Sequence, residues 1–312
     1  MSEEITNTGF SKDSSPSFSR IINSDGSYNI QKKGTAIKWK DAYKYLIEIS
    51  WPRFFFMIIL FYSLLNIIFT VIYWCIGFQH ISGIDPSEGS VFMQALFFSA
   101  QTFTTVGYGV MSPTGFLTQL VSSIEALTGF LSFSLMTGLL YGRFSKPAAK
   151  IMFSQNAVIA PYKDITSFQI KLANERDNVL LDVNAKMILV FDKPDSNGET
   201  KKHFFRLPLE ISEISLLPLS WTVVHPINEE SPFYNKTESE IKSLNAEVLV
   251  MVSGYDEVFS QVVNARTSYY YSEILLNWKF KKIFATDKNG NLSIDLANLD
   301  AMENLNKENG DI

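Results

Sequence analysis

From residue 54 to residue 142 the chain contains neither lysine nor arginine, and two long apolar runs, 54–77 and 117–141, fill much of that interval. At about 1.5 Å per helical residue, some 24 residues reach roughly 36 Å, enough to cross a hydrocarbon core of about 30 Å with some tilt. The pattern predicts two membrane-spanning helices, an outer one over 53–77 and an inner one over 117–144. About fifty mostly polar residues precede the first run, which does not fit a cleaved signal peptide.

The flanks orient the spans. Lys32, Lys33, Lys38, Lys40, Lys44 and Arg53 precede the first, Arg143, Lys146 and Lys150 follow the second, and the acidic residues of the connecting segment are Asp85 and Glu88. Basic residues collect on the cytoplasmic side, so both termini are expected in the cytoplasm and the chain in the cell (inner) membrane as a multi-pass protein. Between the spans lies a shorter apolar stretch over 91–103. At about 13 residues it is too short to cross the bilayer and reads as a re-entrant helix.

Directly after it stands Thr104-Thr105-Val106-Gly107-Tyr108-Gly109. A cation stripped of water loses a shell of oxygens, and a stack of closely spaced backbone carbonyls replaces several of them without a fixed charge that would trap the ion. Gly107 and Gly109 permit backbone angles closed to other residues, which lets consecutive carbonyls point the same way. Carbonyls of Thr105, Val106, Gly107 and Tyr108 are the candidate ligands, with the Thr105 hydroxyl adding an oxygen at the inner end. Val106 and Tyr108 side chains are expected to pack outward. One strand cannot surround an ion, so four copies are required. The string resembles the selectivity filter of potassium channels, and K⁺ is the permeant ion that this resemblance implies.

Composition narrows the alternatives. Cys75 is the single cysteine and sits inside an apolar run, which excludes an intrachain disulfide and a multi-thiolate metal site. His80, His203 and His225 lie in separate segments without metal-ligand spacing, and no nucleophile–base motif appears, so neither an enzyme nor a cofactor is expected. The net charge of −5 gives no sign of nucleic-acid binding.

After Lys150 the chain turns to short alternating or β-branched runs, at 187–191, 219–224, 247–252 and 282–286, with turn signals at 194–198, 226–232 and 288–291. This reads as an all-β sandwich of roughly 130 to 150 residues. No strand–helix alternation with a glycine-rich nucleotide turn is present. With two spans and no arginine-rich helix, a voltage sensor of the usual type is absent as well.

Several separated motifs, in order, resemble the inward-rectifier potassium channels, particularly their prokaryotic branch. They are Ser24-Asp25-Gly26-Ser27-Tyr28-Asn29-Ile30, then Trp51-Pro52, then Ser220-Trp221-Thr222-Val223-Val224-His225-Pro226-Ile227 with Ser231-Pro232. Ser253-Gly254, Gln261, Ala265-Arg266-Thr267-Ser268-Tyr269 and Glu273-Ile274-Leu275 complete the set. The resemblance covers nearly the whole chain and implies a homotetramer. It assigns a cytoplasmic N-terminal segment over 1–37, an amphipathic slide helix over 38–52, and a pore domain over 53–146 with filter 104–109. A cytoplasmic immunoglobulin-like β-sandwich follows over 147–299, then a tail over 300–312 read from its acidic polar composition as disordered. In the slide helix, Trp39, Tyr43, Leu46 and Ile47 recur at helical spacing beside Lys38, Lys40 and Lys44, as an interfacial helix on anionic lipid requires.

Further roles follow from the same resemblance. Gly129 aligns with the family's hinge glycine and Gly138 is a second flexible point, although a membrane-helix glycine serves equally as a close-packing site. Leu140, Tyr141 and Phe144 are candidates for an apolar gate at the inner helix bundle. Lys40, Lys44, Arg53, Arg143, Lys146 and Lys150 are candidate contacts for anionic phospholipid, or simply the basic flanks of the spans. The acid–base pair that braces the filter in eukaryotic members is replaced here by Gln101 and Met111, and Glu125 in the second span is a candidate support behind the filter. Phe133 stands where strong rectifiers carry an acid in the cavity; Asp182 matches an acidic site of the cytoplasmic pore, and Lys281 falls where another is expected. Weak rectification by Mg²⁺ or polyamine is therefore expected, with Ba²⁺ a possible blocker. A poorly selective cation channel, or a non-conducting membrane-anchored scaffold, are the alternatives.

Overall fold

A computed structural model describes residue 4 and residues 20–29, 42–145, 149–194, 200–286, 290 and 292–305. The chain divides into two compact units, one formed by residues 34–146 and the other by residues 1–33 with 147–312.

The helical unit opens with α1 (Ala42–Glu48); of the expected span 38–52, residues 38–41 lie outside the described residues. Ser50 separates it from α2 (Trp51–Ile76), so Trp51 and Pro52 belong to the first turn of the long helix. Proline is suited to that position, since its missing N–H would have no partner there. A two-residue strand β1 (Ile81–Ser82) precedes α3 (Val91–Phe103), and β2 (Ser112–Pro113) returns antiparallel to it, with Ile81 opposite Pro113. The final helix is α4 (Phe116–Phe144). Both α2 and α4 are long and apolar enough to cross a membrane and are mostly exposed in the single chain. The exceptions are Phe54, Asn66, Phe69, Thr70 and Tyr73 on α2 and a seam on α4 formed by Thr118, Ser122, Glu125, Gly129 and Ser132, all buried. Residues three and four apart share a helix face, and small ones let neighbouring backbones come close.

The β unit is a two-sheet sandwich. Its strands begin with β3 (Ile151–Phe153), β4 (Ala157–Tyr162), β5 (Ile165–Asn174), β6 (Leu180–Pro194), β7 (Thr200–Leu207), β8 (Glu213–Leu217) and β9 (Ser220–Ile227). A short helix α5 (Glu238–Ser243), closed by a Thr237–Glu240 capping box, leads to β10 (Glu247–Asp256), β11 (Gln261–Tyr270) and β12 (Ile274–Leu276). One sheet runs β11-β10-β6-β7, with β8 also pairing β6; the other runs β12-β4-β5-β3, with β9 also pairing β5. Phe168, Ile170 and Leu172 of β5 meet Val183, Met187 and Leu189 of β6 and Val248 and Val250 of β10 in one core. Alternation along each strand sends these residues inward.

The opposite face of β5 is buried too, and this corrects the expected tail. Strands β13 (Trp278–Phe280), β14 (Phe284–Thr286), β15 (Leu292–Ile294) and β16 (Met302–Asn304) form two small antiparallel pairs, β14 with β15 and β13 with β16. Ile283 and Leu299 cover Ala173, while Met302 packs on Val158, Ala160 and Phe280. Asp300 accepts the Gln155 amide at 2.6 Å. Residues 300–305 are thus ordered, because composition hid the two apolar contacts that hold them; residues 306–312 lie outside the described set.

Two of the quoted motifs acquire structural reasons. His225 is buried, its Nδ1 2.6 Å from the Pro208 carbonyl and its Nε2 2.8 Å from the Ser231 hydroxyl. Residues 20–29 lie on the β unit itself: Arg266 Nε donates to Gly26 O at 2.7 Å and stacks on Tyr28, Thr267 donates to Ser24 O, and Ser268 donates to Ile22 O. Buried Glu247 accepts the amides of Ile21 and Ile22. Burial raises its carboxyl pKa, partly opposed by those amide bonds.

Candidate functional site

The segment after α3 has an alternating backbone. Thr105, Gly107 and Gly109 have φ of 59°, 53° and 84°, while Val106 and Tyr108 between them do not have positive φ. Every second residue in the left-handed region turns its carbonyl into line with its neighbour's, and glycine is the residue that takes that region at least cost. At Thr105 a threonine takes it, a strained position held by its surroundings. The main chain is pinned from below. Gln101 accepts the Gly107 amide on its carbonyl at 3.3 Å and the Tyr108 amide on Oε1 at 3.2 Å. Thr104 donates both its amide, at 3.1 Å, and its hydroxyl, at 2.8 Å, to Ala100 O. Among the described residues Val106 and Tyr108 are largely uncovered, 54% and 80% exposed.

Behind this segment lies a closed polar cluster. Glu125 on α4 is fully buried; Tyr73 Oη of α2 donates to its Oε2 at 2.6 Å and Ser99 Oγ of α3 to its Oε1. Ser99 also lies 3.1 Å from Asn66 Oδ1, and Asn66 in turn donates to Tyr62 O. One carboxyl group therefore ties all three helices together, which is how a membrane-embedded acid avoids the cost of standing alone. Sequence reading singled out Glu125 and Gln101; it missed Tyr73, Ser99 and Asn66. Polar side chains in apolar helices were the available signal. Met111 sits in the apolar cluster of Phe69, Tyr73, Ile81, Ala95 and Phe98 and has no charged role.

Gly129 is a contact before it is a hinge. A methyl group there would come within 1.8 Å of the Phe103 carbonyl oxygen at the end of α3, whereas Gly138 has open space around it. Of the gate candidates, Leu140 is half-buried, Tyr141 is 74% exposed, and the Phe144 ring lies 5.0 Å from Trp51.

The basic candidates separate. Lys44 and Arg53 are exposed, Lys150 stands 3.4 Å from Glu175, and Lys40 and Lys146 lie outside the described residues. Arg143 is instead occupied by protein: its guanidinium donates to the carbonyls of Leu46 and Ile49 and lies over the rings of Trp51 and Phe54. Asp182, with φ of 46°, stands on β6 beside a bulge opposite β10, and Lys281 joins β13 to β14, so the two belong to different elements. The Lys281 carbonyl accepts Lys171 Nζ at 2.6 Å.

Residues 151–310 match the family described as inward rectifier potassium channel C-terminal domain, and residues 50–146 match the family described as ion channel. The chain is 34% identical over 279 residues to the inward rectifier potassium channel Kirbac3.1 of Paramagnetospirillum magnetotacticum, covering 89% of this chain and 93% of that protein. It is 24% identical to the G protein-activated inward rectifier potassium channel 2 of Mus musculus, covering 86% of this chain and 68% of that one. Likeness to the inward rectifier potassium channel irk-1 of Caenorhabditis elegans is 26% over 89% of this chain, which spans 55% of that relative.

Proposed function

The chain belongs to the inward rectifier potassium channel family, and on that premise we propose that it conducts K⁺ passively across a membrane as one of four identical subunits around a single pore. The observation that carries this reading is the alternating backbone at Thr105, Gly107 and Gly109, with the Gly107 and Tyr108 amides held by Gln101. Four such strands would present rings of oxygens from Thr105, Val106, Gly107 and Tyr108 in place of the ion's water. The cluster around Glu125 holds the helix beneath that strand in place. K⁺ is the permeant species; no resident cofactor is invoked.

Basic flanks favour cytoplasmic termini and the cell membrane as location. Leu140 and Tyr141 at the end of α4 form the gate in this reading, closing the path by dewetting, while Phe144 is turned to Trp51. Replacing both by Ala would raise flux; unchanged flux would remove the gate from these residues. Lys44 and Arg53, with Lys40 and Lys146, draw anionic phospholipid to the same end of the helices. Rectification is weak, Phe133 standing where a cavity acid would be needed; steep voltage-dependent block by spermine would contradict it.

The test is flux into liposomes holding the purified protein. Uptake of Rb⁺ blocked by Ba²⁺, with little uptake of Na⁺, is the expected result. Equal uptake of both ions points to a poorly selective channel, and no Ba²⁺-sensitive uptake to a silent scaffold.

A further inference from the structure

The hydrogen bonds of Gln101 follow the filter as far as the Tyr108 amide. Beyond it, the exit of the filter is met by the segment that joins α2 to α3. Strand β1 lies antiparallel to β2, with Ser82 opposite Ser112. At one end of this ladder Thr114 donates its amide at 2.7 Å and its hydroxyl at 2.9 Å to the His80 carbonyl. At the other end Gly83 lies directly on the main chain that leaves the filter. A methyl group on Gly83 would come within 2.1 Å of the Val110 carbonyl oxygen and 3.2 Å of the Met111 Cα, and the φ of Gly83 is 85°.

Side chains reinforce the same contact. Ile81 is 3% exposed and packs with Tyr73 and Phe98, and Met111 rests against that group. The joining segment is also fixed to α3, since Gln94 accepts the Asp85 amide at 2.9 Å and donates to the Asp85 carbonyl at 2.7 Å. A ladder of two short strands is not stable by itself, so these attachments are what keep it closed. Glycine suits position 83 twice over, once for its left-handed backbone and once for the missing side chain. Each peptide unit is planar, so the Val110 Cα shares a plane with the Gly109 carbonyl and a displaced Val110 turns that carbonyl with it.

We propose that residues 80–83 form a clasp over the outer end of the filter, with Gly83 as its positioning residue. By holding Val110 and Met111 the clasp fixes the spacing of the oxygen rings at the exit, and with it the preference for K⁺ over Na⁺. Gln101 holds the same strand from beneath. The proposal rests on the reading of residues 105–108 as the K⁺ path.

The experiment uses the full chain in liposomes, with uptake of Rb⁺ and of Na⁺ measured side by side and assembly followed by gel filtration. A contact that merely closed a loop would lower both uptakes in proportion, whereas a positioning contact changes their ratio. Gly83→Ala lowers the Rb⁺ to Na⁺ ratio by about tenfold, as overpacking against a main-chain oxygen forces the strands apart. A second variant fills no space: Gln94→Leu with Thr114→Val loosens both ends of the clasp and lowers the ratio by about tenfold as well. Into that double variant a disulfide is placed with Ser82→Cys and Ser112→Cys in a Cys75→Ser background. Facing Cα atoms of antiparallel strands lie about 4.5–5.5 Å apart, a distance that a disulfide spans. Oxidised, this protein regains the wild-type ratio to within about twofold, and dithiothreitol removes the gain.

The proposal is overturned if the assembled double variant keeps the wild-type ratio while both uptakes fall together, or if closing the disulfide leaves its lowered ratio unchanged. A Gly83→Ala protein that does not assemble leaves the decision to these two results. A wild type that admits Na⁺ as readily as Rb⁺ ends the reading of residues 105–108 as the K⁺ path, and the clasp with it; a selective wild type with an equally selective double variant ends the clasp alone.

Discussion

The β unit buries Phe168, Ile170, Leu172, Met187, Leu189 and Val250 within one chain, whereas the helical unit leaves Val106, Tyr108, Phe133 and Tyr141 more than half exposed. Apolar surface of this second kind is stable only against lipid or against further copies of the chain. The polar groups differ in the same sense. In the β unit buried polar groups are spread over several strands, among them Gln169 and Lys171 of β5, Lys202 of β7 and Thr267 of β11, while in the helical unit Asn66, Tyr73 and Ser99 gather around Glu125 behind the filter. One unit closes its apolar core within the chain; the other leaves apolar surface open, and its packing is held at a few points.

If that contrast is right, removing Glu125 has the largest effect. Glu125→Ala leaves the buried Tyr73 hydroxyl without its acceptor, at about 1–3 kcal/mol, leaves Ser99 to Asn66 alone, and also opens a cavity. Thermal unfolding of the assembled protein should fall steeply and Rb⁺ flux should vanish, with Glu125→Gln intermediate. Wild-type flux in the Ala variant would break the claim that the filter depends on this cluster.

A smaller effect separates packing from bending in α4. Gly129→Ala drives a methyl into the Phe103 carbonyl, which must move; overpacking of this kind costs about 1–3 kcal/mol. Gly138→Ala meets nothing and gains helix propensity, so its stability should change by less than about 1 kcal/mol. Melting of the two variants in detergent reads the difference. Equal melting would mean that Gly129 is not packed as described.

These contacts mark what the sequence could and could not reveal. Both spans and the re-entrant helix follow from long apolar runs without basic residues, and the filter from its alternating glycines. Glu125 announced itself as a charge in lipid, but Tyr73 and Ser99 lie in other helices, 52 and 26 positions away, and no periodicity links them. Arg143 looked like any basic flank because its acceptors are backbone carbonyls, which carry no sequence signal. Strand β5 alternates Phe168, Ile170 and Leu172 with Gln169 and Lys171, so its second face reads as wet although it is buried as well. Strand β16 was hidden in the same way by the acidic residues around Met302.

The smallest effect belongs to the β unit. The buried His225 ring is neutral, donating through Nδ1 to Pro208 O and accepting at Nε2 from Ser231, and burial holds its pKa below the ordinary histidine value. The unfolded chain takes up a proton that the folded one refuses. Stability from this site is therefore full above about pH 6.5 and declines as pH falls below it, by up to about 1.4 kcal/mol per unit. Unfolding followed by Trp221 fluorescence between pH 8 and 5 should show that slope, and His225→Gln should flatten it. A slope unchanged in the variant would place the titration elsewhere.

The central claim is that main-chain oxygens of residues 105–108, supplied by four copies, stand in for the water around K⁺. Anomalous scattering from crystals of the purified protein grown in Rb⁺ tests it directly. The account predicts a row of Rb⁺ peaks on a fourfold axis between the carbonyl planes of Thr105, Val106, Gly107 and Tyr108. A filter without Rb⁺, or a chain that crystallises without a fourfold axis, would contradict it.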